Sequence, residues 1–163
     1  MPDSYFLFGL LLQMAKYFPV EEVKDTRRAQ VHITYDGRVC KTFKGHQAKE
    51  RFENEVLVLQ YLGKKACPFV PRLLKEIPEK LYLETTNCGK IVEQLTAKKQ
   101  AALFEELEAY GVRHEDADKR NVTYDHQSGR FNIIDFEFAT ILDDPDQVSP
   151  VAWPHEREAE DRP

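Results

Sequence analysis

The chain has 163 residues, the size of one domain, with 42% hydrophobic and 31% charged side chains and a formal net charge of -5. That balance suits a folded, water-soluble domain with its own core. It argues against a nucleic-acid partner, because a polyanion calls for a concentrated basic face and the basic residues here are scattered, Lys24, Arg27 and Arg28 being the densest early group.

The first stretch, YFLFGLLLQM (Tyr5 to Met14), is apolar. It is far shorter than the roughly 20 residues that cross a bilayer. It also lacks the charged start and small-residue cleavage site of a signal peptide. No membrane partner is therefore expected. The run is either a short helix packed on the domain or an upstream read-through before initiation at Met14, and the second is preferred. Residues 1–19 are set aside as an N-terminal extension.

QVHITY (Gln30 to Tyr35) alternates Val31, Ile33 and Tyr35 on one face, a strand pattern. Asp36-Gly37 is a hairpin signal, and RVCKTF (Arg38 to Phe43) is the return strand. Lys41 shares a face with Val39 and Phe43. Taken alone, it reads as an edge lysine snorkelling to water.

QAKERFENEVLVLQYLG (Gln47 to Gly63) predicts a helix with Phe52, Val56, Leu59 and Leu62 as its apolar stripe and Gly63 as its C-terminal cap. Glu55 falls on that stripe. A carboxylate there either sits at the stripe's edge and reaches water or needs a cationic partner, since burial without one is costly. Lys41 is the obvious partner.

PFVPRLL (Pro68 to Leu74) and KLYLETT (Lys80 to Thr86) read as a loop-strand and a strand. Thr96 to Gly111 predicts a second helix, with Thr96 as N-cap, Leu103, Phe104, Leu107 and Tyr110 on the apolar face, and Gly111 as the stop. RHEDADKRN follows as a loop, then NVTY and RFNIID as short strands around DHQSG (Asp125 to Gly129). From Asp143 onward the sequence holds prolines, many acids and the lone Trp153, and predicts a disordered tail over 143–163. The folded domain is placed at 20–142. Three cysteines (Cys40, Cys67, Cys88) with no CxxC pair argue against a disulfide framework or a zinc site and fit a reducing cytoplasm.

His114-x-Asp116-x-x-x-x-Asn121, then a hairpin and an apolar run ending in Asp135-Phe136, resembles the catalytic and metal loops of the protein-kinase-like superfamily. The upstream order matches too: strand lysine, helix glutamate, strand, helix, loop. The resemblance covers about Ala29 to Leu142. It implies an α+β fold of minimal protein-kinase-like type, a small antiparallel sheet with a Glu-bearing helix and a reduced helical C-lobe.

It also implies a phosphotransferase that uses ATP and Mg²⁺. Lys41 would hold the α- and β-phosphates, oriented by Glu55. Asp135 and Asn121 would bind Mg²⁺, for which oxygen donors are suited. Asp116 would take the acceptor's hydroxyl proton, His114 would brace the loop, and Arg120 would neutralise the γ-phosphate. Val39 would cap the adenine, and the hinge around Tyr82 to Thr86, with Tyr82, Glu84 and Thr85, would offer it backbone bonds.

The chain departs from that pattern in three places. KDTRRA (Lys24 to Ala29) stands where a Gly-rich loop is expected, and Arg27 or Arg28 would have to substitute by charge. The residue after Asp-Phe is Glu137, and IDFEFA resembles the choline and aminoglycoside kinase branch. No activation segment, Ala-Pro-Glu or later helices follow, so the acceptor site is expected to be missing or completed by a protein partner. The acceptor itself is unknown. A nucleotide-binding pseudokinase acting as an interaction module is the alternative. TTNCG and RHEDADKRNVTY with IDFEFATIL also resemble short bacterial proteins often labelled serine/threonine phosphatase, although the chain has no GDxHG or GNHE motif.

Overall fold

A computed structural model describes residues 21–144, so the apolar run at 5–14 and the segment from 145 lie outside the described residues. Within them the fold is mixed α+β: two helices and ten short strands in antiparallel sheets. No helix is long and apolar enough to cross a membrane.

The largest sheet has the order β1-β2-β3-β5-β4, from β1 (Glu21–Asp25), β2 (Ala29–Ile33), β3 (Arg38–Phe43), β4 (Leu73–Ile77) and β5 (Tyr82–Thr86). The β2–β3 turn closes with Gly37 N–H donating to Thr34 O at 2.9 Å. Tyr35, expected in the strand, stands in this turn and is 80% exposed. In β3–β5, Val39 faces Thr85 and Lys41 faces Leu83. Directly opposed residues share a sheet face. That face packs on α1 (Ala48–Lys64) through Phe43, Leu83, Phe52 and Val56.

α1 carries a second apolar set, Val58, Leu59 and Leu62, into the main core. There it meets Leu103, Phe104 and Leu107 of α2 (Ala97–Ala109), with Val112, Val122, Ile133 and Phe136. Thr96 caps α2, its Oγ1 accepting from Lys99 N–H at 3.2 Å. The same core is floored by β7 (Val112–Arg113) paired with β10 (Thr140–Ile141), and by the sheet β6-β8-β9 from β6 (Lys90–Ile91), β8 (Val122–Asp125) and β9 (Arg130–Ile133). Gly89 permits the approach of β6 to β8: its φ is +91°, and a Cβ there would lie 2.1 Å from Tyr124 O. Asp143, assigned from sequence to the tail, accepts instead from Tyr61 Oη at 2.5 Å and Lys65 Nζ at 3.2 Å.

The end of α1 departs from expectation. Gly63 is still helical, and the left-handed position is Ala66, φ 51°. Ala66 N–H bonds Gly63 O and Cys67 N–H bonds Leu62 O, both at 3.0 Å, while Leu62 and Cys67 meet in the core. This is the Schellman pattern, in which glycine is preferred at that left-handed position. Ala66→Gly should therefore stabilise the domain by about 1 kcal/mol, because it relieves a Cβ–carbonyl clash. Urea denaturation checks this, and an unchanged or lowered midpoint would contradict it.

Candidate functional site

Three elements converge on one ammonium. β3 presents Lys41 on the face toward α1, and α1 presents Glu55 on its buried stripe. After β9 the chain turns through Asp135 in the left-handed region, φ 68°, which swings that carboxylate inward. Lys41 Nζ donates at 2.7 Å to Glu55 Oε2 and at 2.7 Å to Asp135 Oδ1, with Glu137 Oε2 at 3.4 Å. It also sits 4.5 Å over the Phe43 ring. Lys41 is buried, so the edge-lysine reading does not hold.

Burial drives these charges in opposite directions. It pushes the Lys41 ammonium down, but the carboxylates of Asp135, Glu55 and Glu137 outweigh it and hold Lys41 well above the usual lysine range. Burial pushes Glu55 up to about 7, with Lys41 opposing and Asp135 and Glu137 reinforcing. Burial also pushes Asp135 up, but Lys41 wins and keeps it below the usual carboxylate range. With Arg51 bonded to Glu137 at 3.1 Å, the group holds two cations and three carboxyls.

A second group lies on the loop between β7 and β8. Arg120 Nη2 donates to Asp116 Oδ1 at 3.0 Å and Oδ2 at 2.9 Å. Asn121 Nδ2 donates to Asp116 Oδ2 and to its backbone O, both at 2.9 Å. Asp118 shapes the loop by accepting from Arg120 N–H at 2.9 Å.

Ile134, just before Asp135, ties the groups together: its N–H donates to Asn121 O at 2.9 Å, and its O accepts from His114 Nε2 at 3.0 Å. His114 is buried, its ring 5.3 Å from both Phe104 and Phe136. Its pKa is lowered by that burial, and its proton sits on Nε2.

The structure does not bring every expected residue to this site. Val39 and Thr85 share the face of Lys41. Tyr82 and Glu84 do not, because the two-residue period turns them to the opposite face, where Glu84 bonds Arg38 at 2.7 Å and Tyr82 at 2.8 Å. The backbone from Tyr82 to Thr85 runs between ladders to β3 and β4, so it cannot serve as an open hinge. The linker Asn87 to Gly89 is the first stretch of chain beyond the sheet.

Sequence reasoning missed Arg51 and Asn54, and it marked Glu137 only as a departure from the family pattern. Asn54 Nδ2 reaches the carbonyls of Phe136, Glu137 and Ala139 at 3.4, 3.1 and 2.9 Å. The signal was available: Arg51 and Asn54 lie four and one residues before Glu55, on the same buried stripe.

Oxygens of Glu55, Asp135 and Glu137 lie within 4.8 Å of one another. Glu55 and Glu137 are 6% and 7% exposed and already face Lys41 or Arg51, whereas the Asp135 side chain is 40% exposed. Mg²⁺ dehydrates reluctantly and keeps several waters. It therefore fits the open side of Asp135, and not the buried interior of the triad. No protein-family model matches the chain, and no curated protein matches it.

Proposed function

We propose that the protein is a minimal Mg²⁺- and ATP-dependent phosphotransferase of protein-kinase-like type. One observation carries the reading: Lys41, Glu55 and Asp135, from positions 14 and 94 residues apart from Lys41, meet in one ion cluster. The Asp116–Asn121 loop is laced to the residue beside it. A buried ammonium held by two carboxylates is a fixed cation with one half-open side, and together with Mg²⁺ on Asp135, which would offset the excess carboxylate charge, it suits phosphate oxygens. The sheet order with α1 between β3 and β4 also suits such a fold.

In this reading Lys41 grips the nucleotide phosphates, and Glu55 keeps the ammonium in place. Asp135, with Asn121 on the adjoining segment, would hold Mg²⁺, which neutralises phosphate charge when bound. Asp116 accepts the acceptor's hydroxyl proton; each carboxylate oxygen has two lone-pair sites, so bonds to Arg120 and Asn121 leave room for that contact. Arg120 reaches the γ-phosphate only by loosening its hold on Asp116. Val39 and Thr85 flank the adenine on the inner sheet face. The base-pairing edge of adenine falls to the Asn87–Gly89 linker instead of Tyr82 and Glu84.

A pseudokinase that binds nucleotide without turnover is the second reading. The turn between β1 and β2 favours it. That turn contains no glycine, and the Arg28 carbonyl accepts from the Arg51 guanidinium. The two readings part in one experiment. ATP with Mg²⁺ at about 100 times Kd should raise stability by about 2.7 kcal/mol, seen as a melting-temperature rise that EDTA diminishes. Phosphate release or autophosphorylation should accompany it. A shift without turnover leaves the binding module, and no shift with ATP or ADP removes both.

A further inference from the structure

Arg51 is the most deeply buried cation among the described residues, 2% exposed, inside a helix. A guanidinium has five N–H donors in a fixed planar fork. Nε donates to His46 O at 3.0 Å; Nη1 to Arg28 O at 3.3 Å and Glu137 Oε2 at 3.1 Å; Nη2 to Arg28 O at 3.3 Å and Lys44 O at 2.7 Å. Five donors make five bonds to three separate segments: the β1–β2 turn, the β3–α1 loop, and the loop that carries Asp135.

The arrangement is reinforced from both sides. Lys44 N–H also donates to Arg28 O at 2.9 Å. Gly45, φ +75°, lets the β3–α1 loop lie against the turn, and a Cβ there would sit 2.6 Å from Arg27 O. Glu137 Oε2 lies at 3.1 Å from Arg51 and 3.4 Å from Lys41, so one carboxylate joins the clamp to the ion cluster. Above it the Arg28 guanidinium lies 5.8 Å from the Phe138 ring, bringing the turn onto the same loop.

We infer that Arg51 is a positioning residue for the nucleotide site: through Arg28 O and Glu137 it fixes the glycine-free turn and the Asp135 loop in one relative placement around Lys41. This rests on the phosphotransferase reading, shared by its binding-only form. Arg51 touches no phosphate; it sets where the turn over the phosphates lies. A turn without glycine cannot wrap a ligand with its own backbone, so its distance from the ion cluster must be set from outside.

Arg51→Lys keeps the charge, but its three donors radiate from one nitrogen and cannot span the positions that the five-donor planar fork reaches. At a temperature well below its melting point, Arg51→Lys should bind Mg-ATP about tenfold more weakly, the scale of one charge-assisted hydrogen bond. Amide exchange at Ala29 and Phe138 should accelerate. A core variant matched for lost melting temperature, Leu107→Val, should keep the wild-type Kd. Gly45→Ala gives an independent reading, because it pushes the turn away while every charged side chain is retained, and it should weaken Mg-ATP binding in the same direction. A wild-type Kd in folded Arg51→Lys overturns the positioning role; if Arg51→Lys does not fold, a wild-type Kd in Gly45→Ala does so. Failure of the wild-type protein to bind Mg-ATP at all overturns the nucleotide reading itself.

Discussion

Lys41→Met should lose Mg-ATP binding and about 3–5 kcal/mol of stability, and adding Glu55→Gln should return most of the stability and none of the binding. The first loss follows from burial. Removing one partner of a buried ion pair leaves the other charge uncompensated, which costs that much. Glu55 is buried and bonded to Lys41 at 2.7 Å. Glu137 still has Arg51 at 3.1 Å, so the orphan in the single variant is chiefly Glu55. A neutral glutamine of the same shape removes that orphan. It restores no cation, so phosphates gain nothing. Urea denaturation of the four proteins in the cycle gives the coupling energy, and titration with Mg-ATP gives the affinities. If binding and stability fall together and the second substitution restores both, Lys41 serves only the fold.

Asp135→Asn should keep the fold and lower phosphoryl transfer by about a hundredfold or more, the several kcal/mol that a bound metal supplies to transition-state charge. Asparagine suits the position because, outside glycine, Asn and Asp tolerate the left-handed region best. Asp135→Ala would add backbone strain of about 1 kcal/mol to the lost charge and so confuse the two effects. In Asp135→Asn the lysine keeps Glu55 and Glu137, so the cluster does not open. Single-turnover phosphate release at saturating ATP measures the effect. Wild-type rates in Asp135→Asn would remove Asp135 as the metal's carboxylate.

The sequence carried more of the fold's local structure than of its long-range placement. β3 ends where its alternation and the Asp36-Gly37 turn say it should, at Arg38 and Phe43. α1 begins and ends within a residue of its periodic pattern, and Phe52, Val56, Leu59 and Leu62 are all buried as the stripe requires. Glu55 was readable as a partner for Lys41 because a carboxylate on an apolar stripe demands one.

The faces of Tyr82 and Glu84 were unreadable without a pairing register. Only the β3–β5 ladder says which face of β5 meets Lys41. Ala66 was unreadable because glycine normally marks a left-handed cap, and a glycine stood three residues too early. The two-residue strands β6, β7 and β10 carry no periodicity of their own. The place of Arg51 and Asn54 on the buried stripe was legible, but their partners were not, because backbone carbonyls and a carboxylate 86 residues away leave no local signal.

The bonds that close the site are among the longest-range between the described residues: 82 to 85 residues from Asn54 to its carbonyls, 86 from Arg51 to Glu137, 94 from Lys41 to Asp135. During synthesis, a nascent chain long enough to build the five-stranded sheet and α1 still lacks every one of those acceptors. Its helix would carry an amide without its carbonyls and a guanidinium without its carboxylate, facing an unfinished core. Loop closure over such spans must come before the contacts reward it. The sheet with its helix is therefore no self-sufficient folding unit, and the ion cluster assembles in the same cooperative step that completes the domain.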